Sequence, residues 1–314
     1  MMTNGWQQWI GRKGDVVPGP YPVSIATIGY LAEALEDERL AGQVASGGVF
    51  AAPRSFVTIT SRVPNWRPKH VTGPESFMQA MLVPLPADSG VNLGVDQYYF
   101  APLMPGDTLS SQSTITEIIP KRMRLGDGFI ITENIDHINQ KGVVVARTVN
   151  TLFRFLKGSA DSDQPAKPQA ASEARAAPKP AFRPPSDFPS ITMPVTMTRL
   201  AIGAGAVRDF SPLHHDIDLA REAGHPTAFF SYSYQMALIV RALGEWFDGD
   251  DCVRRLKLSM KSPIYLGKTC ACTGVRQATH PNSEAGIDTI EVMLSTEDGP
   301  STSGIAEIRT EAAR

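Results

Sequence analysis

An aspartate and a histidine five residues apart, in Asp209-Phe-Ser-Pro-Leu-His214, are the side chains of this chain best suited to move a proton together. A carboxylate accepts protons at neutral pH and an imidazole both accepts and donates them, so the two held at one point can act as acid and base. Pro212 between them restricts the backbone, and both side chains can converge at a loop-to-helix junction. The spacing alone is common. In a bare D-x-x-x-x-H the aspartate more often caps the next helix and the histidine sits exposed in its first turn.

The surrounding elements give the pair a setting. From Ser231 to Trp246 the chain reads as a helix that is apolar nearly all round, as a helix enclosed by a sheet requires, and Arg241 and Glu245 can pair at its end. Before the pair come Gly203, Ala204 and Gly205. A nucleotide-binding loop is excluded there: a third glycine and a P-loop lysine are missing, and D-F-S-P-L-H follows where a helix should open. Close approach of backbone to a substrate or a neighbouring sheet explains such small residues better. Beyond the helix, RRLKLSMKSPIYLGKTCACTGVRQ predicts two strands about a turn from Pro263 to Gly267, and IDTIEVMLSTEDGPSTSGIAEIRT two more about Asp298-Gly299. Cys270 and Cys272 share a strand face. With no second paired ligand motif they are read as strand thiols, and no metal or other cofactor is expected.

The run AGAVRDFSPLHHDIDLAREAG, continuing as HPTAFFSYSYQMALIVRALGEW, resembles the catalytic segment of the MaoC-like hydratases and dehydratases, the R-specific enoyl-CoA hydratase group. Ala204, Gly205, Ala206, Asp209, Phe210, Pro212, His214, Asp216 and Ala220 fall on matching positions, and Arg241 and Trp246 keep the register. The resemblance implies that Asp209 and His214 are the catalytic pair, on an α+β double hot-dog fold in which two antiparallel sheets each wrap a helix. It also implies substrate contacts at Gly205, Ser211, Ser231 and Tyr232. The chain departs from the family pattern at Val207-Arg208 (Ser-Gly), Ser211 (Asn) and Ser231-Tyr232 (His-Gly). Ser211 can still donate a hydrogen bond but reaches less far, and Tyr232 keeps the main-chain N–H that faces the thioester carbonyl in the family.

In the first half, VSIATIGYLAEALED predicts a helix capped by Ser24, SFVTITSRV a strand, and PESFMQAMLVPL a short helix that a first hot-dog would enclose. Strands follow from Val95, with a Pro102–Gly106 turn spaced like Pro263–Gly267 and a hairpin at Gln140-Lys141-Gly142, so the chain carries a weak internal duplication. The words Gln97-Tyr-Tyr-Phe-Ala-Pro102 and Asn139-Gln140-Lys141-Gly142 resemble the amino-terminal domain of two-domain MaoC-like dehydratases. No D-x-x-P-x-H frame occurs here, and His70 and His137 stand isolated. Residues 1–157 are therefore expected to be a non-catalytic hot-dog that accommodates substrate, 158–189 a flexible linker rich in proline and alanine, and 190–314 the catalytic hot-dog.

The 314 residues suffice for two cores, and a net charge of −2 offers no general attraction to nucleic acid or anionic membrane. No apolar run is long enough to span a bilayer, and the opening MMTNGWQQWIGRKGD lacks a secretory pattern. Three cysteines provide no disulfide framework, and a cytoplasmic location is expected. The expected substrate is an acyl-CoA thioester and the expected state a homodimer or hetero-oligomer. Three alternatives stay open: a hydratase for short dicarboxylyl-CoA such as mesaconyl-CoA, with Arg208 pairing the distal carboxylate; a non-catalytic acyl-CoA-binding subunit; and, less well matched, a hot-dog thioesterase.

Overall fold

A computed structural model describes residues 5–66, 68–70, 72–73, 76–156, 186–278 and 284–310, and in it ten strands fall into two antiparallel sets of five. The first comprises β1 (Val17–Pro18), β2 (Ser89–Tyr99), β3 (Leu109–Met123), β4 (Gly126–Asn139) and β5 (Val144–Phe155), in the order β1-β3-β4-β5-β2. The second comprises β6 (Ile191–Pro194), β7 (Val253–Met260), β8 (Thr269–Arg276), β9 (Ile287–Thr296) and β10 (Gly299–Arg309), in the order β6-β8-β9-β10-β7. Strand for strand the two orders are the same. The duplication suggested by the two Pro-to-Gly turns is thus one of topology, and both turns end on a glycine at positive φ, +93° at Gly106 and +86° at Gly267.

Six helices accompany the strands: α1 (Ile25–Leu35), α2 (Glu38–Ser46), α3 (Phe56–Ser61), α4 (Met197–Ala206), α5 (Ile217–Glu222) and α6 (Tyr232–Trp246). As expected, Ser24 caps α1, accepting the Thr27 N–H at 3.1 Å. The compact units do not follow the division at residue 157. Pro22–Ile59 and Pro102–Asp107 pack with the second unit, which runs on through the carboxyl-terminal strands, while the first unit keeps the segment up to Tyr21, Thr60–Ala101 and the chain from Thr108 through β5. The reason lies in α1: its buried stripe of Ile28, Leu31, Ala32 and Leu35 packs against α4 and α6. The Tyr234 hydroxyl of α6 also donates to the Ala34 carbonyl at 2.5 Å.

In the second unit α6 lies against β7, β8 and β9, and Leu238, Ile239, Val240 and Leu243 are no more than 2% exposed. Burial of each such side chain contributes about 1.5–3 kcal/mol. Two glycines let this helix sit close. A Cβ on Gly203 would meet the Tyr234 ring at 2.8 Å, and one on Gly274 would meet the Trp246 ring at 2.5 Å. Gly205 has no neighbour within 4 Å of such a Cβ, so packing makes no demand for glycine there.

Three expectations about local structure are corrected. SFVTITSRV contains a helix, α3, because Phe56, Val57 and Ile59 are buried together and enclosure overrides the strand preference of its β-branched residues. PESFMQAMLVPL yields one 3-10 turn, Gln79–Met81, whose Ala80 joins Val83, Ile115, Ile131 and Leu152 in the first unit's apolar cluster; Pro74 and Glu75 lie outside the described residues. Of the expected linker, 158–185 lies outside the described residues, whereas 186–189 packs on the second unit. There Phe188 stacks on Trp246 with centroids 4.8 Å apart, and the Trp246 indole donates to the Pro189 carbonyl at 3.0 Å.

The first sheet's inner face carries polar side chains that satisfy one another. The ring of His137, wholly buried, has Nδ1 2.9 Å from Ser61 Oγ and 3.2 Å from Ser111 Oγ, and Nε2 2.9 Å from Thr148 Oγ1. Burial pushes its pKa down to about 4, so on acidification the unfolded chain binds the proton first. Stability from this group is complete above the ordinary value of 6.5 and is lost as pH falls through 4, by about 3 kcal/mol in all. Burial raises the pKa of nearby Glu133, which offsets part of that loss. Urea unfolding of the wild type and His137→Asn between pH 6.5 and 4 should show a flatter dependence in the variant; parallel curves would contradict the assignment.

Candidate active site

Asp209 follows α4 directly. The helix ends on Val207, Arg208 turns the chain with a φ of +54°, and the Asp209 N–H closes back on the Ala204 carbonyl at 2.9 Å. Arg208 thus takes the left-handed conformation most easily adopted by glycine, the residue the family pattern has there. Pro212–His214 then form a 3-10 turn in which the His214 N–H donates to the Ser211 carbonyl at 3.1 Å. Capping is done by another residue: Asp216 caps α5, accepting the N–H groups of Asp218 and Leu219 at 3.0 Å each. The cap of α5, the role a bare Asp-x-x-x-x-His would usually give its aspartate, thus falls to Asp216.

The two side chains converge. His214 Nε2 and Asp209 Oδ1 lie 4.0 Å apart, with side chains 12% and 17% exposed. His214 Nδ1 is 3.0 Å from the Phe229 carbonyl oxygen. A carbonyl can only accept, so Nδ1 carries a proton, and Nε2 is the ring nitrogen turned to the carboxylate. The 4.0 Å gap exceeds a direct hydrogen bond.

The same hydrogen bond ties the imidazole to the entrance of α6, whose first residue, Tyr232, comes three after Phe229. Ser231, 2% exposed, caps that helix by accepting the Tyr234 N–H at 3.2 Å, and Gln235 Nε2 donates to the Phe230 carbonyl at 3.2 Å. The N–H of Tyr232 belongs to the first turn, which the helix's own ladder does not use. Of the remaining expected site residues, Ser211 lies between Asp209 and His214 and its side chain does not cap the turn, while Gly205 is exposed on α4. Arg208 directs a guanidinium nitrogen at the Ile59 carbonyl, 3.4 Å away. Sequence reasoning overlooked His225 and Tyr265, which both pack on Phe229. Each occurs alone in a loop, and only the fold joins them.

Cys270 and Cys272 are buried strand thiols, and burial pushes the Cys270 thiol up to about 12. Among the described residues no three His, Cys, Asp or Glu side chains gather as a metal site, and no helix is long and apolar enough to cross a membrane.

Residues 25–148 match the family model for the FAS1-like dehydratase domain region, on the half of the chain without the Asp/His pair. No curated protein matches the chain by sequence. A solved MaoC-like dehydratase is similar with a TM-score of 0.72 at 17% identity, over 98% of this chain and 100% of that one. Full-length peroxisomal multifunctional enzyme type 2 from Drosophila melanogaster gives 0.65 at 16%, over 94% of this chain and 49% of that longer one. A Mycobacterium tuberculosis protein described as a double hot-dog gives 0.58 at 14%, over 96% of each chain. The likeness to these solved structures shows the double hot-dog fold, and the dehydratase-region match lies within it at residues 25–148.

Proposed function

We propose that the protein reversibly hydrates a trans-2-enoyl-CoA to an (R)-3-hydroxyacyl-CoA, with Asp209 and His214 as the proton-transfer pair. The observation that carries this reading is the Nε2–Oδ1 separation of 4.0 Å, with Nδ1 committed to a carbonyl. In the neutral ring both facing atoms are acceptors, and a water donating one O–H to each keeps a lone pair for the β-carbon. Imidazole is the stronger base, so Nε2 takes the water proton as the oxygen–carbon bond forms, and Asp209 steadies the imidazolium. The electrons of the double bond move toward the thioester oxygen, where the Tyr232 N–H at the positive end of α6 meets the developing charge. The imidazolium then returns the proton to the α-carbon on the same face. Addition is syn, and by family resemblance the product is R.

A long or bulky acyl chain fits the proposal better than a short dicarboxylate. Arg208, the cation that would pair a distal carboxylate, already faces the Ile59 carbonyl. The test is a panel of short, medium, long, branched and mesaconyl thioesters of CoA, followed by loss of enoyl absorbance and chiral analysis of the product. Hydration of the longer members to the R product is expected. Release of free CoA, or binding without turnover on every member, would overturn the assignment in favour of a thioesterase or a non-catalytic subunit.

A further inference from the structure

The carbonyl that fixes His214 is itself held from two directions. On the main chain, Phe229 bridges Tyr265 in antiparallel fashion, the Phe230 N–H donates to the Ile264 carbonyl at 3.0 Å, and the Leu266 N–H donates to the Ala228 carbonyl at 2.9 Å. On the side-chain level, the Phe229 ring meets the edge of His214 at a centroid separation of 5.1 Å and an angle of 88°, while His225 packs on it at 4.5 Å and Tyr265 at 5.9 Å. His225 Nδ1 lies 3.3 Å from the Tyr265 hydroxyl, and the His225 N–H is tied to the end of α5 through the Ala220 carbonyl at 2.9 Å. The turn at His214, the loop at His225 and the segment at Tyr265 therefore meet around one phenylalanine, and its carbonyl selects the tautomer of a neutral His214 ring.

We infer that His225 and Tyr265 are a positioning pair: their mutual hydrogen bond clamps Phe229 against His214, holding the imidazole as the Nδ1–H tautomer with Nε2 turned to Asp209. This rests on the reading of His214 as the base in hydration, but the clamp itself is a statement about ring geometry. Burial, and secondarily the neighbouring His214, hold the His225 pKa below its ordinary value. A neutral ring offers one donor and one acceptor, and its Nδ1 can bond a phenol in either sense. The contact is only half-buried, so removing one phenolic oxygen or one ring nitrogen opens no cavity in the core.

The experiment has one readout independent of turnover. Nitrogen-15 NMR of the His214 ring should show a single Nδ1–H tautomer in the wild-type protein. In Tyr265→Phe and His225→Phe that signal should give way to a tautomer mixture, with kcat lowered by about tenfold or more and KM unchanged. His225→Asn places an amide where Nδ1 stood and should restore both. An unchanged tautomer in Tyr265→Phe and His225→Phe overturns the proposal, as does a rise in KM with kcat intact, which would make the pair a substrate contact. A tautomer shift in a protein that hydrates no enoyl-CoA at all would leave the clamp standing and remove the hydratase reading.

Discussion

Asp209→Asn and His214→Asn should each lower kcat/KM for enoyl-CoA hydration by about 10²–10⁴-fold, the contribution of a positioned acid/base group. Each substitution is chosen for the atom it removes. Asn at 209 keeps the size of the side chain but ends the anion 4.0 Å from Nε2, so the proposed imidazolium loses its counter-charge. Asn at 214 can still donate to the Phe229 carbonyl, as Nδ1 does at 3.0 Å, yet has nothing at the Nε2 position. Because both are proposed to act on one water, the double variant should be little worse than the poorer single variant. Neither residue is in the core. Unfolding midpoints should therefore move by no more than about 2 °C, the shift that about 1 kcal/mol produces in a chain of this size. Rates within threefold of wild type in both single variants would sink the assignment.

What the sequence could disclose follows the range of the interactions concerned. The turn Asp209–His214 is local: Pro212, the small residues of α4 and the capping Asp216 act within a few positions, and the convergence of the two side chains could be expected from them. The same holds for α6, whose all-round apolarity announces enclosure, and for the strand repeat with its two positive-φ glycines. Long-range choices were hidden. Whether Phe56, Val57 and Ile59 form a strand or a helical turn depends on what surrounds them, and burial on all sides decided for α3. The allegiance of α1 to the second unit rests on contacts such as Tyr234 to Ala34, 200 positions apart, which no local pattern encodes. His225 and Tyr265 are 40 positions apart and meet only because β-bridging brings their loops together.

Replacing Tyr232 by proline should lower kcat by about 10²–10³-fold, the cost of removing one donor from an oxyanion site, while Tyr232→Ala should lose far less. Proline usually breaks a helix, but this position suits it. Tyr232 is the first residue of α6, where the N–H has no partner in the helix ladder and proline's fixed φ is already helical. The residue before proline must be extended, and Ser231 has φ −64° and ψ 154°. The Ser231 cap on the Tyr234 N–H and the Gln235 N–H bond to the Ser231 carbonyl do not involve the nitrogen at 232. Proline and alanine both remove the phenol, so their difference isolates the N–H. Because that N–H is proposed to meet charge that develops only as water adds, the effect should fall on kcat with KM nearly unchanged. Equal kcat in the two variants would mean that the thioester oxygen is stabilised elsewhere, and the helix entrance would lose its place in the mechanism.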